Sequence, residues 1–213
     1  DASTTANSLN DFDDLDGAGG TDTVVAKTTT IAGTASSIAP VMKNIEVISV
    51  TNTDSTSVGV LDPNDGDILT VNLAEATSIE KVMNVTSNDS VTFDNVGQVV
   101  TLEVKSAQND TTVNYDYQGL VGAADNMEIV VKGTNGTDIS IDDDNPLDSS
   151  VIETVTINSQ SVANTIDLLD LSKVNTGALV VTGDKKLTIS SALDATVLSV
   201  DASASTGGLT LST

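Results

Sequence analysis

From Thr23 onward the chain is a succession of short runs in which β-branched and aliphatic residues alternate with polar ones, each run closed by Asn, Asp, Gly or Ser. A period of two puts alternate side chains on opposite faces of an extended backbone, so these runs read as strands. The clearest occupy residues 45–50, 68–73, 99–104, 112–117, 128–131, 152–157, 178–181, 187–189 and 197–200. No segment keeps an apolar stripe at i, i+3, i+4 and i+7 for three turns, and residues 165–172 are the best candidate for a short turn of helix. Pro40, Pro63 and Pro146 fall between strand signals, as expected of a residue with no N–H to give to a ladder. The fold class that follows is all-β.

How the strands are arranged is constrained by what is available to fill a core. With two Phe, two Tyr and no Trp or Cys, the interior must be built from Val, Ile, Leu and Ala, which suits thin, layered β-structure. An imperfect repeat supports stacking: Ile45-Glu46, Ile79-Glu80 and Ile152-Glu153 each lead into alternating apolar residues and then Thr, Asn or Ser. The second copy carries one extra residue, a candidate β-bulge. Because the copies lie 34 and 73 residues apart, an irregular parallel β-solenoid, of the β-roll or β-helix kind, is favoured, with tandem β-sandwich domains as the alternative. The organisation expected is an acidic calcium-binding segment, 1–26, followed by a solenoid-like structural domain, 27–213.

Charge and missing residue types narrow the function. The chain has no His or Cys, hence no imidazole base, no thiol nucleophile and none of the common zinc or haem ligand sets. A carboxylate-pair lyase or hydrolase needs only two of the 31 acidic residues, but the few aromatic and basic residues offer little to grip a sugar. A net charge of −23 predicts bound or condensed cations, or else adaptation to high salt of the haloarchaeal kind. It also argues against nucleic acid or an anionic membrane as partner, both of which need a basic patch. No run of about 18 apolar residues is present, so a membrane-spanning helix is not expected. Cysteine absence fits export without disulfides.

The sharpest local motif is Asp11-Phe12-Asp13-Asp14-Leu15-Asp16 followed by Gly17-Ala18-Gly19-Gly20-Thr21-Asp22-Thr23-Val24-Val25. Its second part fits the nonapeptide G-G-x-G-x-D-x-U-x of calcium-binding β-rolls, with Ala18 in place of the second Gly. Glycines turn the backbone so that carbonyl oxygens face a cation, Asp22 adds charge, and Val24 points inward as an apolar anchor. One copy gives half a site, which Asp11, Asp13, Asp14 and Asp16 would complete together with Gly17, Gly19 and Asp22. Two weaker calcium candidates follow: Asp62, Asn64 and Asp67, whose spacing misses the EF-hand pattern, and Asp138 with Asp142, Asp143 and Asp144, adjacent carboxylates that repel unless screened. Asn84, Asn88, Asn109 and Asn135 each begin an N-x-[ST] sequon and read as surface loops.

The acidic run, the Asn44-Ile45-Glu46 and Val151-Ile152-Glu153 strand starts, and Leu198-Ser199-Val200-Asp201-Ala202-Ser203 with Gly207-Gly208-Leu209-Thr210 resemble the S-layer and adhesin-like proteins of the repeats-in-toxin group. The resemblance implies type I export and calcium-driven folding outside the cell. It also implies self-assembly into a two-dimensional lattice or fibre, with cell-surface polysaccharide as a further partner. A calcium-dependent adhesin or matrix fibre module is the alternative within the same fold. With one good nonapeptide, the chain is expected either to bind its ions irregularly or to belong to a protein whose main calcium array lies elsewhere.

Overall fold

The computed structural model describes residues 7–30, 35–54, 68–116, 120, 125–144 and 151–212. Two eight-stranded sheets run through them. The first holds β2 (Thr23–Thr30), β5 (Val47–Asp54), β7 (Lys81–Val85), β9 (Thr101–Lys105), β11 (Asn126–Lys132), β13 (Thr154–Gln160), β15 (Ala178–Gly183) and β17 (Ser199–Asp201). The second holds β3 (Ser36–Ile38), β6 (Ile68–Asn72), β8 (Ser90–Val96), β10 (Thr111–Tyr115), β12 (Asn135–Asp143), β14 (Asn164–Asp170), β16 (Leu187–Ile189) and β18 (Leu209–Leu211). The chain alternates between the sheets, and each strand pairs in parallel with the strand one turn before and one turn after, save the end strands β2, β3, β17 and β18, which pair on one side. This is a parallel β-solenoid. β-Sandwiches are built from antiparallel strands, so the tandem-sandwich alternative falls. Near the first turns a third, shorter ladder joins β1 (Asp14–Asp16) to β4 (Val41–Lys43), and Met42 bridges onward to Ala76.

Stacking in register makes columns of like side chains. Ile48, Val82, Leu102, Ile129, Ile157 and Val181 form one column of the first sheet, all buried. Val71, Phe93, Val113 and Ile141 face them from the second. At about 4.8 Å between strands each side chain meets its equivalents above and below, and full burial of each stabilises by about 1.5–3 kcal/mol. Buried Phe93 and Tyr115 supply the bulk that the aliphatic residues cannot.

The turn out of the first sheet is made in the same way four times. Val85, Lys105, Lys132 and Gln160 are in register, and the next residues, Thr86, Ser106, Gly133 and Ser161, have φ of 53°, 51°, 75° and 69°. One left-handed residue at a fixed place redirects the chain toward the second sheet.

The repeat also becomes intelligible. Ile45 and Ile79 stand three residues before the stacked pair Ile48 and Val82, so their spacing is one turn. Ile152 stands five before Ile157, three turns beyond Val82 in the same column, so the third copy begins two residues early. The pairing of β7 with both neighbours is unbroken, so its extra residue makes no bulge and the left-handed Thr86 absorbs the change of direction. Register shifts occur instead between β8 and β10 and between β12 and β14. The helical turn expected over 165–172 is the strand β14, because Ile166 and Leu169 point inward across the bulged pairing with β12 and mimic a helical spacing. The expected junction at residue 26 falls inside β2.

Candidate metal centre

Asp22 immediately precedes β2, where the first turn of the solenoid meets the second. Its carbonyl accepts the N–H groups of Glu46 at 3.2 Å and Val47 at 3.1 Å, and its own N–H donates to Glu46 Oε2 at 2.7 Å. Gly17 is pressed against the same point, where a Cβ would stand 2.1 Å from the Asn44 carbonyl oxygen and 2.8 Å from the Asp22 side chain. Glycine is therefore required at 17 for clearance. The left-handed positions of the motif are Gly20, at φ 129°, and Ala18, at φ 63°; the second is a conformation that favours glycine, which accounts for the Gly of the nonapeptide at the place where Ala stands here. Val24 packs against the core and stacks on Ile48, the inward anchor the motif calls for. Asp22 Oδ2 is buried and accepts no hydrogen bond from the described residues.

Asp11, Asp13 and Asp16 of the segment are engaged with backbone and amide donors. Asp16 Oδ1 accepts from Asn44 Nδ2 and from the Ala18 N–H, each at 2.8 Å, and these bonds, that from Asn44 first, hold its carboxyl below the ordinary value. Asp13 Oδ2 accepts from the Asn10 N–H at 2.8 Å and from Asn10 Nδ2 at 3.2 Å. Asp11 Oδ1 accepts from the Ala39 N–H at 2.7 Å. Asp14 and Gly19 are exposed. Among the described residues no three acidic side chains are grouped so as to hold a metal ion between them. The groups that meet around Gly17 and Asp22 are fewer: the partnerless Asp22 Oδ2, the Asn44 carbonyl across Gly17, and Glu46 on the Asp22 N–H. Neither Asn44 nor Glu46 was among the expected ligands, although the Ile45-Glu46 motif marks the place.

Asp62, Asn64 and Asp67 lie outside the described residues. Asp138 is separated from Asp142, Asp143 and Asp144 along β12; Asp142 stacks on Asn114 and its Oδ1 accepts the Asp143 N–H at 2.9 Å. Asp138 instead lies in a column with Asp110 on the preceding turn and Asp167 on the following one. Its Oδ1 accepts the Leu168 N–H at 2.9 Å. Burial raises the Asp110 carboxyl, with the charge of Asp138 adding to it against the Asp138 N–H. Burial likewise raises Asp138, opposed by the Leu168 N–H and reinforced by Asp167. Of the sequons, Asn84 and Asn109 are buried rather than on surface loops, and Asn135 is exposed.

No protein-family model matches the chain, and no curated protein or solved structure matches it.

Proposed function

We propose that the chain is a non-catalytic structural segment of a secreted, calcium-dependent bacterial surface layer, a solenoid that self-associates into a lattice at the cell surface. The observation that carries the reading is the meeting of Gly17, Asn44, Asp22 and Glu46 at the start of an all-parallel solenoid, with Asp22 Oδ2 buried and partnerless. A calcium ion there would be held by Asp22, Glu46 and the Asn44 carbonyl. It would offset the repulsion that the net charge of −23 imposes where the first and second turns meet. Calcium outside the cell then stabilises the folded chain by preferential binding, which couples folding to location. Lattice formation draws on the parallel ladders, whose strands stack about 34 Å of continuous sheet from eight strands at about 4.8 Å, with polar outer faces able to meet a second copy or a cell-surface polysaccharide.

The test is far-UV circular dichroism with light scattering during a calcium titration from a chelated start, repeated with magnesium and with sodium chloride. A calcium-specific gain in β-signal or melting temperature, lost in Asp22→Asn, followed by rising scatter, is the expected result. Full structure in chelator with no calcium response removes the ion from the reading, and a calcium response without scatter favours the adhesin module.

A further inference from the structure

The interior of the solenoid is polar along one edge. Where the chain leaves the first sheet for the second, Thr28, Asn52, Asn84, Thr111, Thr137 and Asn164 are all buried. Buried polar groups require partners, and most of these find them across turns. Thr28 Oγ1 donates to Asn52 Oδ1 at 3.2 Å, and Thr137 Oγ1 donates to the Ala107 carbonyl at 2.9 Å. Asn164 is the best satisfied: its Oδ1 accepts the N–H groups of Gly133 at 2.6 Å and Thr134 at 3.0 Å. Its Nδ2 donates to Ser159 Oγ at 2.9 Å and to the Val162 carbonyl at 2.8 Å.

Asn84 is the member of this seam left incomplete. It is 0% exposed, and its Nδ2 donates to Thr111 Oγ1 at 2.8 Å, but Oδ1, equally enclosed, accepts no hydrogen bond from the described residues. The side chains stacked on either side are Val50 and Val104, which have nothing to donate. Turning the amide over gives its oxygen the Thr111 hydroxyl and leaves the NH2 group facing the same apolar neighbours, so the deficit persists in either orientation. The column is also built from small side chains: Ala26 precedes Val50, and Ser159 and Gly183 follow further along.

We propose that an internal water molecule binds beside Asn84, donating one hydrogen to Asn84 Oδ1 and accepting the proton of the Thr111 hydroxyl, which is free to donate once its oxygen has accepted from Asn84. A neutral molecule that both donates and accepts is what this pair calls for; a metal cation would require several more oxygens than the pair supplies. The water closes the seam between β7 and β10 and ties the turns that carry them by a polar contact specific to that register, in a stack whose aliphatic columns are otherwise much alike.

A high-resolution crystal structure of the chain, together with oxygen-17 relaxation dispersion in solution, tests this. The expected result is an ordered water at roughly 2.7–3.2 Å from Asn84 Oδ1, and one fewer long-lived internal water in Asn84→Leu. Thr111→Val, which exchanges a hydroxyl for a methyl, gives the same reading should Asn84→Leu fail to fold. Density showing Asn84 Oδ1 bonded to a protein donor or to nothing, or an unchanged water count in a folded variant, overturns the proposal.

Discussion

Glu46 reaches back one turn so that its Oε2 accepts the backbone N–H of Asp22 at 2.7 Å, and Glu153 does the same for Asp125 at 2.6 Å. Both glutamates belong to the Ile-Glu motif, whose isoleucine is buried at the corner. The motif is therefore a clip, with an apolar anchor and a carboxylate that satisfies a donor on the preceding turn. Asp194 likewise holds the Leu171 N–H at 2.6 Å. A charged acceptor on a backbone donor is worth about 1.5–3 kcal/mol. Glu153→Ala should lower stability by about 1–2 kcal/mol, since the pair is only part-buried, while Glu153→Gln, which keeps an acceptor oxygen, should lose less than half of that. Urea unfolding of the two variants at constant m-value checks it; equal losses would show that packing, and not the acceptor, is what the glutamate supplies.

Asp110 and Asp138, in the column with Asp167, should respond to acid in the opposite direction from most carboxylates. Asp110 and Asp138 have folded-state values raised chiefly by burial, and then by the charge of Asp138 on Asp110 and of Asp167 on Asp138. A raised value means that the folded state binds its proton more readily than the unfolded chain, so their contribution to stability is present at low pH and lost as pH rises through the folded-state value. No lysine lies in β8, β10, β12 or β14 to offset the repulsion, and the further acidic residues of those strands are Asp94, Asp142, Asp143 and Asp170. Asp138→Asn should raise the melting temperature at pH 7, and the gain should shrink on acidification toward pH 4. A gain that is independent of pH would assign it to something other than titration.

Glu103 makes the contrasting case. It is 4% exposed on the outward side of β9, between Lys81 at its Oε2 and Lys132 at 3.0 Å from Oε1. Burial pushes its carboxyl up, but the two lysine hydrogen bonds outweigh burial and leave it below the ordinary value of 4.5. Its contribution is present above the unfolded value and lost as pH falls through the depressed folded one. Glu103→Gln should cost about 1–2 kcal/mol at pH 7, less than for a fully buried pair because both lysines are partly solvated, and progressively less as pH falls through the depressed folded-state value. Melting curves across that range read the difference, and a loss that persists in acid would point to shape and not charge.

Much of the fold was legible because strand stacking is written in period-two alternation, and a parallel stack repeats the same inward residue types at each turn. The strands β6, β10, β13 and β16 lie close to where alternation placed them. β14 was not legible, since its bulged pairing breaks the period and leaves Ile166 and Leu169 at a helical spacing. The acidic motif showed where the first turn begins but not what its carboxylates do. Asp13 and Asp16 are close in sequence to backbone donors and bond those, whereas Asp11 meets the Ala39 N–H, and Glu46 meets Asp22, only through the stacking of one turn on the next.

The column of left-handed residues offers the last prediction. Thr86 is exposed and holds φ at 53°, a conformation in which its Cβ and branched side chain crowd the backbone, whereas Gly133 occupies the equivalent place two turns further along the same column without that cost. The Thr86 N–H donates to the Lys105 carbonyl at 2.8 Å, a bond that glycine retains. Removing the side chain relieves about 1–2 kcal/mol of conformational cost, and the greater freedom of glycine in the unfolded chain returns about half of it. Thr86→Gly should therefore stabilise by about 0.5–1 kcal/mol, and Thr86→Asn by less, since Asn tolerates this region better than a β-branched residue. Gly133→Thr should be destabilising by more than Thr86→Gly gains, because its Cβ would also come within 3.1 Å of Ser106 Oγ. Chemical unfolding of the three variants under one condition ranks them, and a Thr86→Gly protein less stable than the parent would mean that the threonine makes contacts at the corner worth more than its strain.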